Sequence, residues 1–166
     1  MIVLMMGVSG AGKSTTGKAL AESLGWPFFD ADDFHPESNV AKMAAGQPLT
    51  DVDRWPWIDR IADAMRGVLD PGGSAVFACS ALKSTHRQQM QRAGDVRVVF
   101  LNGDAETIGR RLAARTQHFM PVSLLPSQFA ALEAPTDALV VDIRDSVPTQ
   151  VTRIREGLAI PTPEHS

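Results

Sequence analysis

The octapeptide GVSGAGKS, residues 7–14, follows directly on the apolar run IVLMM (residues 2–6) and opens into KSTTGKALAESLG (residues 13–25). The run is continuous rather than alternating, as expected for a strand buried on both faces. The segment after the loop has helical spacing, with Ala19, Leu20 and Leu24 inward and Gly25 as a stop. Strand, glycine-rich turn and helix thus occur in the order that gives G-x-x-x-x-G-K-[ST] its meaning, with matches at Gly7, Gly12, Lys13 and Ser14 and a further glycine, Gly10, inside. The glycines let backbone N–H groups converge on phosphate oxygens. Lys13 brings a point charge to the outer phosphates, the Ser14 hydroxyl can bind Mg²⁺, and the new helix points its positive end at the anion. The stretch predicts a nucleoside triphosphate site and leaves open what receives the phosphate.

Downstream the chain keeps alternating. WPFFDAD (26–32) reads as a second strand, ESNVAKMAAG (37–46) as a short helix ended by glycine, and DRWPWIDRIADAMRGVL (53–69) as a longer amphipathic helix. Asp53 is its expected cap, with Pro56 tolerated in the first turn. SAVFACS (74–80), VRVVFLNG (96–103) and ALVVDI (138–143) supply three more strands. KSTHRQQMQRAG (83–94), AETIGRRLAAR (105–115), SLLPSQFAALE (123–133) and VPTQVTRIREGL (147–158) supply the helices between and after them. This order predicts an α/β fold, a five-stranded parallel sheet with helices on both faces. One domain is expected over residues 1–158, with a small helical lid at about 111–124 and a loose C-terminal tail at 159–166.

Composition narrows the function classes. A chain of 166 residues with 44% hydrophobic and 21% charged residues suits one soluble globular domain. The net charge of −3 weighs against nucleic acid as the main partner. A single cysteine, Cys79, excludes an internal disulfide and fits a small buried residue in a reducing compartment. MIVLMM is too short for a membrane span and lacks a basic leader, so the expectation is a cytoplasmic protein.

The acceptor side begins with FFDADDFHP (28–36), which packs Asp30, Asp32 and Asp33 into four positions ahead of His35. In an open parallel sheet, ligands bind beyond the carboxyl ends of the strands, so these acids should share an edge with the phosphate loop. One carboxylate can hold a metal-bound water and another can orient an acceptor hydroxyl and take its proton. Asp32 is the candidate base and Asp30 the metal-side support through water; Asp33 is the alternative base or a substrate contact. A solvated acidic turn capping the next helix is the competing account.

Cationic candidates follow. Arg54, in LTDVDRWPW (49–57), could clamp an anionic substrate in bidentate fashion, or be an ordinary surface arginine. Trp55 and Trp57 beside it fit core or staple positions. Ser80 and Lys83, in CSALK (79–83), flank a helix start, where Ser80 could equally be a plain N-cap. His86 and Arg87 on that helix carry less weight. GRRLAARTQHFMP (109–121) holds Arg110, Arg111, Arg115 and His118, with Arg111 and Arg115 four apart and so on one helical face. A basic flap of this kind could close over a triphosphate, or be a solvated helix face. His118 is a further substrate-contact candidate.

Together these pieces resemble the small P-loop gluconokinases. The resemblance rests on GVSGAGKST, DADDFHPESNVAKMAAGQPLTDVDRWPW, CSALK, HFMP and SQFAALEAP, in family order over nearly the whole chain. It implies a fold like that of shikimate and nucleoside monophosphate kinases, ATP with Mg²⁺ as donor, D-gluconate as acceptor, 6-phosphogluconate as product and a homodimer. Within it, Gly7, Ser9, Gly10, Ala11, Gly12, Lys13, Ser14 and Thr15 would hold ATP. Asp32, Asp33, His35, Arg54, Ser80, Lys83 and His118 would surround gluconate, and Arg111 and Arg115 would belong to the lid. Gln117 stands where family members often have glycine, which bears on the lid's hinge. The competing expectations are a kinase for another small alcohol such as shikimate, and a nucleotide-binding module without catalysis.

Overall fold

The computed structural model describes residues 1–115 and 125–162. Five strands, β1 (Ile2–Met6), β2 (Phe28–Asp30), β3 (Ala75–Ala78), β4 (Val96–Asn102) and β5 (Leu139–Asp142), form one sheet in the order β2-β3-β1-β4-β5. Every pairing is parallel. The helices are α1 (Lys13–Leu24), α2 (Glu37–Ala44), α3 (Asp51–Leu69), α4 (Ser84–Gln91), α5 (Ala105–Ala114), α6 (Leu125–Ala131) and α7 (Val147–Gly157).

Strand pleating sorts the core into two layers. Val3, Met5, Val76, Ala78, Val99 and Leu101 point to one face, under residues of α1, α5, α6 and α7. Ile2, Leu4, Met6, Phe77, Val98 and Phe100 point to the other, against Ile58, Ile61 and Met65 of α3 and Met90 of α4. This explains why β1 is apolar at every position: it lies at the centre of the sheet and is covered on both sides. A buried polar pair adds to the first layer, where the Thr16 hydroxyl donates to Gln150 Oε1 at 2.7 Å and joins α1 to α7. Among the described residues, no helix is long and apolar enough to cross a membrane.

The structure corrects several expected boundaries. The second strand stops at Asp30 instead of running through Asp32, because the Asp30 side chain accepts the Asp32 N–H at 3.0 Å and turns the chain into a 3₁₀ segment, Ala31–Phe34. Helix α3 begins at Asp51, two residues early. Its cap is Thr50 rather than Asp53, and the two form a reciprocal capping box. Pro56 therefore lies inside the helix, where it deprives the carbonyl of Val52 of a donor; Val52 is 79% exposed, so water can serve that group. The N-cap of α4 is Lys83, not Ser80. The expected loose tail is anchored at its start, since Ile160 is buried in the first core layer.

Candidate active site

The carboxyl ends of β1 and β3 open into a cleft of about 360 Å³. Its phosphate-loop wall is Ser9, Gly10, Gly12, Lys13, Ser14 and Thr15. The opposite wall is Asp30, Asp32, Cys79 and Ser80, and Leu112, Arg115 and Gln128 close one side.

The loop owes its shape to glycine at two places in particular. Gly10 has φ +82° and Gly12, which caps α1, has φ +91°, both in the left-handed region. Gly10 is also packed tightly: a Cβ there would stand 2.8 Å from Leu112 Cγ of α5. Lys13 folds its ammonium into the loop, donating to the carbonyls of Gly7 at 2.9 Å and Val8 at 3.1 Å. Burial holds its pKa below the usual lysine value, opposed by the Asp32 and Asp30 carboxylates. The Ser14 hydroxyl donates to Asp30 Oδ2 at 3.3 Å. A hydroxyl and a carboxylate meeting here form a hard-oxygen pair of the kind that suits Mg²⁺ held jointly with phosphates and water. Among the described residues no three His, Cys, Asp or Glu side chains gather into a metal cage.

Asp32 faces Lys13 across the cleft mouth. Desolvation by the cleft walls and the neighbouring Asp30 charge raise its pKa above the ordinary carboxylate value, while Lys13 works in the opposite direction. Asp32 and Asp33 are both exposed at the surface, and of the two only Asp32 lines the cleft. The acidic turn is pinned from behind: Trp57 Nε1 donates to the carbonyl of Ala31 at 2.7 Å, and the His35 ring stacks on Trp57 at 4.3 Å. Asn39, buried in α2, reaches His35 Nδ1 at 3.2 Å and donates to the Asp53 carbonyl at 2.9 Å. Burial first, and Arg54 second, lower the pKa of His35, favouring the neutral ring.

The remaining candidates divide. Lys83 Nζ lies 2.9 Å from Asp51 Oδ1, and Arg54 lies 3.2 Å from the same oxygen, so one carboxylate gathers both cations. Neither cation lines the cleft. Trp57 is buried as expected, whereas Trp55 stays 39% exposed and meets His86 edge-on. Arg115 lines the cleft; Arg111 turns away and donates to the Ile143 carbonyl; Arg110 is exposed. Gln117 and His118, and most of the expected lid, lie outside the described residues. Cys79 sits on the cleft wall as a neutral thiol, its pKa pushed up to about 12 by burial.

Of two further groups near the site, the sequence does not single out Gln128 and gives Arg87 less weight. Gln128, within SQFAALEAP, reaches the phosphate loop. Arg87 is buried and donates to the carbonyls of Ala81, Leu82 and Glu133. For Arg87 a signal was present: His86, Arg87 and Met90 share the inward face of α4.

Comparison with known proteins bears on this geometry. The family model for shikimate kinase matches residues 9–145. A gluconokinase of Gluconobacter oxydans is 48% identical over 137 residues, which cover 81% of this chain and 76% of that protein. Among solved structures, an unliganded sugar kinase from Janibacter superposes with a TM-score of 0.88 at 42% identity, covering 97% of this chain and 95% of its own. A gluconokinase from Sinorhizobium meliloti superposes at 0.83 with 39% identity, covering 95% and 90%.

Proposed function

The chain belongs to the gluconokinase family, and from that premise we propose that it transfers the terminal phosphoryl group of ATP to D-gluconate, giving 6-phospho-D-gluconate and ADP. The observation that carries this reading is the shared cleft: Lys13 and Ser14 stand on the donor wall and Asp32 on the acceptor wall.

The residues divide the work. Backbone N–H groups of the loop and the start of α1 hold the phosphates, and Lys13 leaves its two carbonyl partners to follow the charge on the outer phosphates. Ser14, with Asp30 behind it, would hold Mg²⁺, which would supply charge neutralisation for the transfer. Asp32 orients a gluconate hydroxyl in line with the terminal phosphorus. The hydroxyl oxygen forms the new P–O bond, the bond to the bridging oxygen of ADP breaks, and the proton passes to the Asp32 carboxylate. An alcohol is a much weaker acid than a carboxylic acid, so this proton moves late and Asp32 acts chiefly by positioning. Arg115, at the open side, stabilises charge on the transferring group. Arg54 and Lys83 are the cations suited to the gluconate carboxylate, which would compete with Asp51 for them.

The assay is coupled release of ADP from Mg-ATP with D-gluconate, shikimate and a nucleoside as acceptors. Turnover with gluconate is expected. Turnover with shikimate alone would favour the second reading, which the shikimate kinase family model supports less strongly than the gluconokinase relatives support gluconate. Nucleotide binding without turnover of any acceptor would leave a non-catalytic module. A cytoplasmic setting accords with the lone buried cysteine, and a homodimer accords with the exposed apolar side chains Val40, Met43, Val52 and Trp55 of α2 and α3. Sedimentation velocity tests the dimer.

A further inference from the structure

Helix α6 touches both halves of the reaction site. At its first turn, Gln128 Oε1 accepts the backbone N–H of Ser9 at 2.7 Å, and Gln128 Nε2 donates to the Ser9 hydroxyl at 3.3 Å. Ser9 lies in the phosphate loop, and it and Gln128 both line the cleft that the nucleotide must enter. Just past the other end, Glu133 is tied to the acceptor loop. Its N–H donates to the Leu82 carbonyl at 2.8 Å, its carboxylate accepts the Ser84 N–H at 3.3 Å, and its carbonyl accepts from buried Arg87 at 2.7 Å. Arg87 in turn holds the carbonyls of Ala81 and Leu82. Ala81 has φ +45°, a conformation that L residues avoid, so the loop carrying Ser80 and Lys83 depends on these bonds for its path. Only four residues separate Gln128 from Glu133, and the Leu132 N–H to Gln128 carbonyl bond keeps the span helical nearly to Glu133.

We propose that α6 is a strut coupling the nucleotide and acceptor sites, with Gln128 reading whether the Ser9 amide is occupied by phosphate. A phosphate oxygen is charged and accepts a hydrogen bond more strongly than an amide oxygen, so nucleotide displaces Gln128 Oε1 from Ser9. The bond at one end of α6 is then exchanged while the bonds at the other end hold the acceptor loop. Nucleotide therefore biases the position of α6, and through Glu133 and Arg87 the placement of Ser80 and Lys83. By linkage the acceptor biases nucleotide binding by the same factor. This inference rests on the kinase reading above for what binds in each half.

The test measures acceptor affinity calorimetrically, with and without a saturating non-hydrolysable ATP analogue and Mg²⁺, using the acceptor that the wild type phosphorylates, D-gluconate first. In the wild type the analogue is expected to tighten the acceptor by a factor in the range of about 5–150. Gln128→Ala is expected to bring that factor close to one, with the protein still folded, because Gln128 is partly exposed. Gln128→Glu is expected to weaken the analogue itself about tenfold or more, since a carboxylate holds the Ser9 N–H and repels phosphate. Arg87→Lys loses the forked contact and is expected to reduce the factor, although Arg87 meets neither ligand. A side chain that merely supports the fold would alter unfolding and leave the factor alone. A wild-type factor of one, or the full wild-type factor in Gln128→Ala, overturns the proposal. Gluconate turnover with unchanged coupling removes the strut alone, and failure to phosphorylate any acceptor removes the kinase reading with it.

Discussion

Gly10→Ala and Gly12→Ala place the same methyl group in the same loop with different consequences. Both positions have left-handed φ, +82° and +91°, so each alanine carries backbone strain of about 1–2 kcal/mol. At Gly12 nothing lies within 4 Å of the new Cβ, so strain is the whole cost. At Gly10 the Cβ would sit 2.8 Å from Leu112 Cγ, 2.9 Å from Leu112 Cδ2 and 3.2 Å from Ile108 Cγ2. Leu112 and Ile108 are themselves buried in the first core layer and have little room to retreat. Overpacking of this kind costs about 1–3 kcal/mol more. The total for Gly10→Ala is then about 2–5 kcal/mol. At about 2–4 °C per kcal/mol for a chain of this size, that lowers Tm by roughly 4–20 °C, against roughly 2–8 °C for Gly12→Ala. Thermal unfolding followed by circular dichroism reads both. A double-mutant cycle sharpens the test: Leu112→Ala alone costs about 2–5 kcal/mol, yet it makes room for the methyl group. The double variant should therefore be more stable than additivity predicts by about 1–3 kcal/mol. Equal Tm values for Gly10→Ala and Gly12→Ala, or strict additivity with Leu112→Ala, would refute the claim that α5 is clamped against the phosphate loop.

Lys13→Ala is expected to lower kcat/KM by about 10²–10³-fold while circular dichroism stays native; near-normal turnover would remove Lys13 from phosphate binding. Asp32→Asn is expected to reduce kcat far more than it weakens ATP binding, and Asp33→Asn to leave kcat within a few fold. The reverse result in steady-state kinetics moves the base by one residue. Asp32 also predicts a pH dependence with a definite sign. Its folded-state pKa is raised, so the folded protein binds that proton more tightly than the unfolded chain does. The stability this contributes is complete below the unfolded value of about 3.9 and is lost as pH rises through the folded value. Asp32→Asn should then melt higher than wild type at neutral pH and lose that advantage in acid. The acid limb of kcat/KM should meanwhile fall above the ordinary aspartate range in the wild type and in Asp33→Asn alike.

The shape of the phosphate loop was legible because it is local. Residues 7–15 are contiguous, the role proposed for them lies in backbone N–H groups, and the residue types that allow such a backbone are few. The sheet was legible for a similar reason, since the apolar runs alternate with helical spacing along the whole chain. The misses have physical causes. Thr50 and Asp53 cap reciprocally, so either reads as the cap until the box is seen. Asp30 reads as a strand residue, yet its carboxylate takes the Asp32 N–H and ends the strand. Arg87 looks like a solvated charge in a polar helix, and only the fold brings three carbonyls to it.

The proposed acceptor half differs in kind. It draws on the turn after β2, the start of α3 and the loop after β3, which become neighbours only because the sheet order sets β3 between β2 and β1. No spacing rule links Asp32 to Ser80 or Lys83 to Asp51. Their relation follows from strand order together with anchors such as Trp57 on Ala31 and Arg87 on Glu133. Those anchors are buried or aromatic and bear no catalytic signature of their own. A change in acceptor preference should therefore arise as readily from the anchors as from the groups that meet the substrate, because moving a pinned loop by a fraction of an ångström shifts several contacts together. The phosphate loop has no such freedom: its donors are its own backbone, and its shape is set by Gly10 and Gly12.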